Sequence, residues 1–128
     1  MYLRFVAMDI DPDSHVSAGI FTAAYELRDS GALSKYEREQ LCELFVWFGE
    51  YLPAPTSFMR TRRAAHKRPG VCWFKTAART HLARIWEMIA LLESNGVWIQ
   101  MVKAARPGYV VYEDDWQIVA EPFRQLRC

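Results

Sequence analysis

The stretch VCWFKTAARTHLARIWEMIALLESNGVWIQMV, residues 71–102, decides the fold. It opens with the short apolar run 71–74, which is typical of a central strand covered on both faces. It closes with a second strand-like run, 97–102, directly after Ser94-Asn95-Gly96, a sequence that can end a helix. Between the two runs a helical repeat places an inner stripe at Ala78, Leu82, Ile85, Trp86, Ile89 and Leu92. Strand, helix and strand therefore predict a βαβ unit with parallel strands.

Ahead of this unit the sequence predicts one strand and two helices. Tyr2–Ile10 is rich in strand-forming residues and stops at an Asp-Pro-Asp turn. Apolar residues recur at helical spacing over residues 15–29, and Gly31 is well placed to end that helix. Ser34 and Glu37 have the spacing of a capping box, so a second helix is expected to start at residue 35 and to stop before the prolines at 53 and 55.

After the βαβ unit the sequence predicts a hairpin. The Pro-Gly pair within residues 106–109 suits a type II turn that leads into a strand at Tyr109–Glu113. The acidic residues 113–115 then form a solvated hairpin tip before a last strand at 116–120. The predicted fold is α+β, in the order βααβαβββ. It is a mixed sheet of about five strands in which the βαβ unit continues into an antiparallel meander, with the helices packed on the sheet.

The composition fits one domain that spans residues 1–128. With 52% hydrophobic and 14% aromatic residues the chain can bury a core, which excludes a disordered protein. A formal net charge of +1 means that any electrostatic function must be local. No apolar run reaches the roughly eighteen residues of a membrane span, and residues 1–8 lack the features of a signal peptide. We therefore expect a cytoplasmic protein without a membrane association.

No set of residues has the pattern of a catalytic or metal site. Residues 9–15 alternate acidic side chains like the start of a calcium loop, but Ser14 and Ile20 stand where that loop needs Gly and Glu. Cys72 and His81 could pair as nucleophile and base, yet a thiol in an apolar strand behaves as a small buried hydrophobe. We expect a non-enzymatic protein with no cofactor and no metal.

One basic run could bind nucleic acid or another polyanion. The simpler interpretation of this run is a solvated loop, because like charges close together in sequence usually stay in water. The start of the third helix, where Thr76 is expected to act as the cap, could complete a phosphate pocket if the loop folds over it. The candidate anion-binding residues are Arg60, Arg62, Arg63, Lys67, Arg68, Lys75, Thr76 and Arg79.

The aromatic excess predicts an interaction surface. Five Trp, six Tyr and seven Phe exceed what the interior of a small domain readily holds, although core packing accounts for most of them. Exposed aromatic rings often mark a protein interface. Rings that lie off the inner stripes or at the hairpin are the candidates for a homodimer or partner contact: Trp47, Tyr51, Trp98 and Trp116.

Residues 72–123 and the opening YLRFVAMDIDPDS resemble a group of short bacterial proteins with no assigned function, most clearly in RPGYVVYEDDWQIVAEPF. The resemblance implies a bacterial accessory gene product and carries over no site residue. We therefore expect a binding or interaction protein that acts as a dimer or through a partner protein. The alternative is nucleic-acid or anionic-ligand binding through residues 60–68 and the start of the third helix.

Overall fold

A computed structural model of the chain describes residues 1–10, 17–52 and 71–121. Within these residues the predicted α+β class is confirmed, because the helices pack on one face of a single sheet. The elements in chain order are β1 (Tyr2–Ile10), β2 (Ser17–Gly19), α1 (Ile20–Asp29), α2 (Lys35–Tyr51), β3 (Val71–Lys75), α3 (Arg79–Ser94), β4 (Ile99–Ala104), β5 (Tyr109–Glu113) and β6 (Gln117–Glu121).

Strand β1 lies in the middle of the sheet and uses both of its edges. Along one edge it pairs with β4, from Tyr2 opposite Ala104 to Ala7 opposite Ile99. Along the other edge β3 pairs with its first residues, and β2 pairs with its second half. Strand β6 adds to β3 and β5 adds to β6, so the sheet order is β4-β1-β3-β6-β5.

Every recorded pairing is antiparallel, so the expectation of a mixed sheet with an adjacent parallel pair is wrong. Strands β3 and β4 run in the same direction, as the strand-helix-strand pattern predicted, but β1 lies between them. The reason is that β1 is long and rich in strand-forming residues, and it satisfies backbone groups on both neighbours. The helix α3 thus crosses over one strand rather than joining adjacent ones.

The predicted meander is also wrong in one strand pairing, because β4 is not a neighbour of the β5–β6 hairpin. Strands β5 and β6 form the expected hairpin, but β6 pairs with β3 and not with β4. Residues 105–108 therefore connect strands at opposite edges of the sheet. One of those edges is β4 and the other is β5.

Two predicted helix starts differ from the structure. The first helix begins at Ile20 rather than at residue 15, since Ser17–Gly19 forms the short strand β2 on the edge of β1 that β3 leaves open. The third helix begins after Ala78, and no side chain caps it, so Thr76 is not the cap. The capping box at Ser34 and Glu37 is confirmed, with both of its hydrogen bonds at 3.2 Å.

The main core lies between the sheet and the three helices of the described residues. Leu3, Phe5 and Phe74 face α1, α2 and α3, and apolar residues of each helix complete the cluster. Trp86, which the predicted stripe assigned to the interior, is 53% exposed because it lies at the margin, with its ring edge-on to Phe5. No helix within residues 1–10, 17–52 and 71–121 is long and apolar enough to cross a membrane.

Candidate interaction surfaces

The predicted anion site is only partly within the described residues. Its basic run, Arg60, Arg62, Arg63, Lys67 and Arg68, lies outside them. At the start of α3, Thr76 and Arg79 are exposed, and the ammonium of Lys75 lies 2.6 Å from a carboxylate oxygen of Glu113. The hydrogen bond to Glu113 raises the pKa of Lys75. This cation is therefore paired with Glu113 in the described structure, and anion binding at this end of α3 stays a prediction.

Three of the four predicted interface aromatics converge on one buried histidine. The ring of His81 lies 4.9 Å from that of Trp47 and 5.2 Å from that of Trp116, centroid to centroid. Its Nε2 is 2.7 Å from the backbone carbonyl oxygen of Tyr51. We call Trp47, Tyr51, His81 and Trp116 the aromatic cluster. It joins the end of α2, the start of α3 and the β5–β6 hairpin.

The surroundings of His81 fix its tautomer. A carbonyl oxygen only accepts hydrogen bonds, so Nε2 carries the proton that it donates to Tyr51, and in the neutral ring Nδ1 is an acceptor. Nδ1 is buried and has no hydrogen-bond partner among the described residues. The sequence interpretation placed His81 off the inner stripe of α3. The spacing of His81, Ile85 and Met88 would have placed it inside, since residues four and three apart share a helix face.

Asp114 holds the hairpin tip that carries Trp116. Its side chain accepts hydrogen bonds from the backbone N–H groups of Trp116 and Gln117, at 2.8 and 2.9 Å, and from the hydroxyl of Tyr112 at 3.0 Å. Partial burial raises the pKa of Asp114, but the hydrogen bonds, led by that of the Gln117 side chain, outweigh burial and lower the pKa overall. The acidic tip is therefore an ordered turn that positions Trp116.

An open groove of about 690 Å³ runs between α2 and α3 and ends at Trp47 of the aromatic cluster. Its floor includes the buried side chains of Leu44 and Leu91, and three of the four charged residues in its walls are acidic. We call it the α2–α3 groove. It is lined by Glu37, Gln40, Glu43, Leu44, Trp47, Arg84, Glu87, Ala90, Leu91 and Ser94.

The edge of β4 is the second surface. Among the described residues β4 pairs only with β1, so its outer edge has no strand beside it. The backbone N–H of Met8 donates to the carbonyl of Trp98 at 2.9 Å, and in an antiparallel ladder the bonding direction alternates along the strand. The backbone groups of Ile99, Met101 and Lys103 therefore point outward. Glu93 accepts from the N–H of Ile99 at 3.4 Å, which leaves the N–H groups of Met101 and Lys103 for an incoming strand.

Large apolar side chains flank this edge on both faces of the sheet. On the helix face, Met101 lies opposite Phe5, and Trp86 packs edge-on to the same ring. On the opposite face, Trp98 and Met8 are 59% exposed each. We call Met8, Trp86, Trp98 and Met101, together with the free backbone of β4, the β4 edge surface. Trp98 thus belongs to a different surface from the other three predicted interface residues.

Comparisons of the chain with protein-family models, with curated proteins and with solved structures found no match. The resemblance to short bacterial proteins therefore stays a prediction.

Proposed function

We propose that the chain is a non-enzymatic interaction protein that acts as a homodimer, formed when the β4 strands of two copies pair antiparallel. The observation that carries the proposal is the β4 edge surface, in which outward backbone groups lie between exposed apolar side chains on both faces. Natural proteins usually blunt a free strand edge with charges, prolines or a covering loop. Among residues 1–10, 17–52 and 71–121, only Lys103 and the contact of Glu93 with Ile99 do so.

A two-fold axis at Met101 satisfies the outward groups of both strands. Met101 then faces Met101 of the second copy, and Ile99 faces Lys103 of the second copy. The outward N–H groups of Met101 and Lys103 meet outward carbonyls, and the N–H of Ile99 exchanges Glu93 for the carbonyl of Lys103. The ammonium of Lys103 comes close to Glu93, which lies beside Ile99 in the monomer. The pairing is therefore complementary in charge as well as in hydrogen bonding.

The flanking side chains provide the apolar part of the interface. Met101 and Trp86 are 36% and 53% exposed in the isolated chain, and Trp98 is more exposed still. Burying a large apolar side chain fully contributes about 1.5 to 3 kcal/mol, so these partly exposed residues can each contribute a fraction of that amount. Two copies double the contribution, because a symmetric interface uses the same patch twice.

Substitution of Met101 separates backbone pairing from side-chain packing. Met101→Pro removes an outward N–H, which an edge strand tolerates because that N–H makes no bond to the part of the chain that the structure describes. We expect Met101→Pro to be a folded monomer by light scattering at concentrations at which the wild-type protein has the mass of a dimer. Met101→Ala keeps the N–H, so it should weaken the dimer and not abolish it.

The matched control is Gln100→Pro. The N–H of Gln100 points toward β1, so this proline should destabilise the fold itself, visible as a lower urea midpoint. A wild-type chain that stays monomeric up to about millimolar concentration would refute the homodimer, because even weak symmetric dimers associate in that range. A dimer that survives Met101→Pro unchanged would place the interface elsewhere.

A further inference from the structure

The α2–α3 groove has the shape of a site for a third helix. Helices α2 and α3 are antiparallel: Glu37 near the start of α2 bonds to Asn95 after the end of α3, and Tyr51 at the end of α2 bonds to His81 near the start of α3. The lining of the groove runs along α2 from Glu37 to Trp47, a span of about 15 Å at 1.5 Å per residue. That length matches about three turns of a helix.

The floor of the groove is apolar and permits close approach. Leu44 and Leu91 form it, and both already belong to the buried core. Ala90 lines the same groove and is exposed, so its small side chain lets another backbone come near. An incoming helix with one apolar face can therefore pack here as a third member of a helical layer.

The walls carry net negative charge. Three carboxylates, those of Glu37, Glu43 and Glu87, stand against one guanidinium, that of Arg84. Arg84 is bound to Glu87 at 3.1 Å and lies 5.5 Å from the ring centroid of Trp47. No ion pair of Glu43 is recorded within the described residues. A Lys or Arg side chain of a partner could therefore form an ion pair with Glu43.

We infer that the α2–α3 groove binds a basic amphipathic helix of a partner protein. Its apolar face packs on Leu44, Ala90 and Leu91, and its Lys or Arg side chains meet Glu43, since both carboxylate oxygens of Glu87 already accept from Arg84. The site is independent of the β4 edge, so binding and dimerisation can succeed or fail separately.

Because the protein is nearly neutral overall, binding of a charged peptide reports on the groove and not on the net charge of the protein. The formal net charge is +1, so a basic peptide gains nothing from the global field and any attraction must be local. The probe is an 18-residue fluorescein-labelled peptide, a length of about five helical turns, that contains only Leu, Ala and Lys, with Leu on one helical face. Two further peptides serve as controls: one with Glu in place of Lys, and one of the same composition in scrambled order.

Fluorescence anisotropy with the full chain measures the affinity. We expect the Lys peptide to bind and both control peptides to bind at least about tenfold more weakly, because each lacks either the complementary charge or the apolar face. Glu43→Lys should raise the Kd for the Lys peptide at least about tenfold. The matched control Glu39→Lys changes an exposed residue of α2 that does not line the groove, and it should change the Kd by less than about twofold.

Three results would overturn the inference. They are the absence of binding by the Lys peptide, equal binding by the scrambled peptide, and equal losses for Glu43→Lys and Glu39→Lys. The mass of each variant by light scattering is measured in parallel. Glu43→Lys should leave that mass unchanged, so a failure of the groove is distinguishable from a failure of the homodimer.

Discussion

At the scale of single residues, Cys72 shows how the sheet determines the chemistry of a thiol. The sequence interpretation treated it as a small buried hydrophobe rather than a nucleophile. In the structure its Sγ lies 3.0 Å from Oε1 of Gln117, a side chain that is itself buried. Burial, with a smaller contribution from Asp114, raises the pKa of Cys72 to about 12, against a smaller opposing effect of Arg4. The thiol therefore stays protonated at neutral pH.

We predict that Cys72 reacts slowly with thiol reagents in the folded protein. In the variant Cys42→Ser/Cys128→Ser it is the only cysteine, and its reaction with a disulfide reagent at pH 8 should be at least about a hundredfold slower than in urea, because the thiolate is the reactive form. The comparison variant Cys72→Ser/Cys128→Ser keeps the exposed Cys42, which should react rapidly without denaturant. Equal rates for the two folded variants would contradict the assigned environment.

At the scale of elements, His81 connects the end of one helix to the start of another. Tyr51 is the last residue of α2, and its carbonyl is among those that a helix end leaves without an internal partner. The donor from His81 fills that role at 2.7 Å. The imidazole also packs between Trp47 and Trp116, so it stabilises the aromatic cluster from its centre.

We predict that His81→Ala lowers the free energy of unfolding by about 2 to 4 kcal/mol, since it leaves a cavity and an unpaired carbonyl. Urea denaturation at fixed protein concentration measures the loss. Thr80→Ala, at an exposed neighbouring position of α3, should cost less than about 0.5 kcal/mol. If the two substitutions cost the same, His81 does not have the structural role assigned to it.

Elements with local signals were predictable from the sequence. The capping box at Ser34 and Glu37 starts α2 as expected, and Gly31 and Gly96 both adopt the positive φ that ends a helix. The neighbour of each strand was not predictable. Pairing joins residues far apart in the chain, and nothing near Val71 or Ile99 in sequence indicates that β1 lies between their strands.

For the candidate surfaces, too, the sequence predicted which side chains are exposed but not which of them lie together. An excess of aromatics predicted exposed rings, and Tyr51, Trp98 and Trp116 are exposed. Their grouping depends on tertiary structure, which sends Trp98 to the sheet edge and the other two to the aromatic cluster around His81. The exposure of Trp86 was not predicted, because Trp86 is next to the buried Ile85 in sequence. One position along a helix is enough to separate a buried side chain from an exposed one.

At the scale of the whole molecule, the strand order explains why an interface belongs at β4. The insertion of β1 between β3 and β4 moves β4 to the edge of the sheet, and the hairpin β5–β6 extends the sheet at its other end. Pairing of two β4 strands would join two six-stranded sheets into one continuous sheet. The α2–α3 groove lies within the helical layer, so a dimer would present two such grooves.

Amide hydrogen exchange along β4 tests the homodimer most directly. In every state the N–H groups of Gln100 and Val102 should be protected, because they point toward β1. In concentrated wild-type protein we predict that the N–H groups of Met101 and Lys103 are protected as strongly as those of Gln100 and Val102. This protection of Met101 and Lys103 should be lost when the protein is diluted below the dissociation constant of the dimer. It should also be absent in Met101→Ala at concentrations at which that variant is monomeric. Rapid exchange at Met101 and Lys103 in concentrated wild-type protein, with Gln100 and Val102 protected, would contradict pairing through β4.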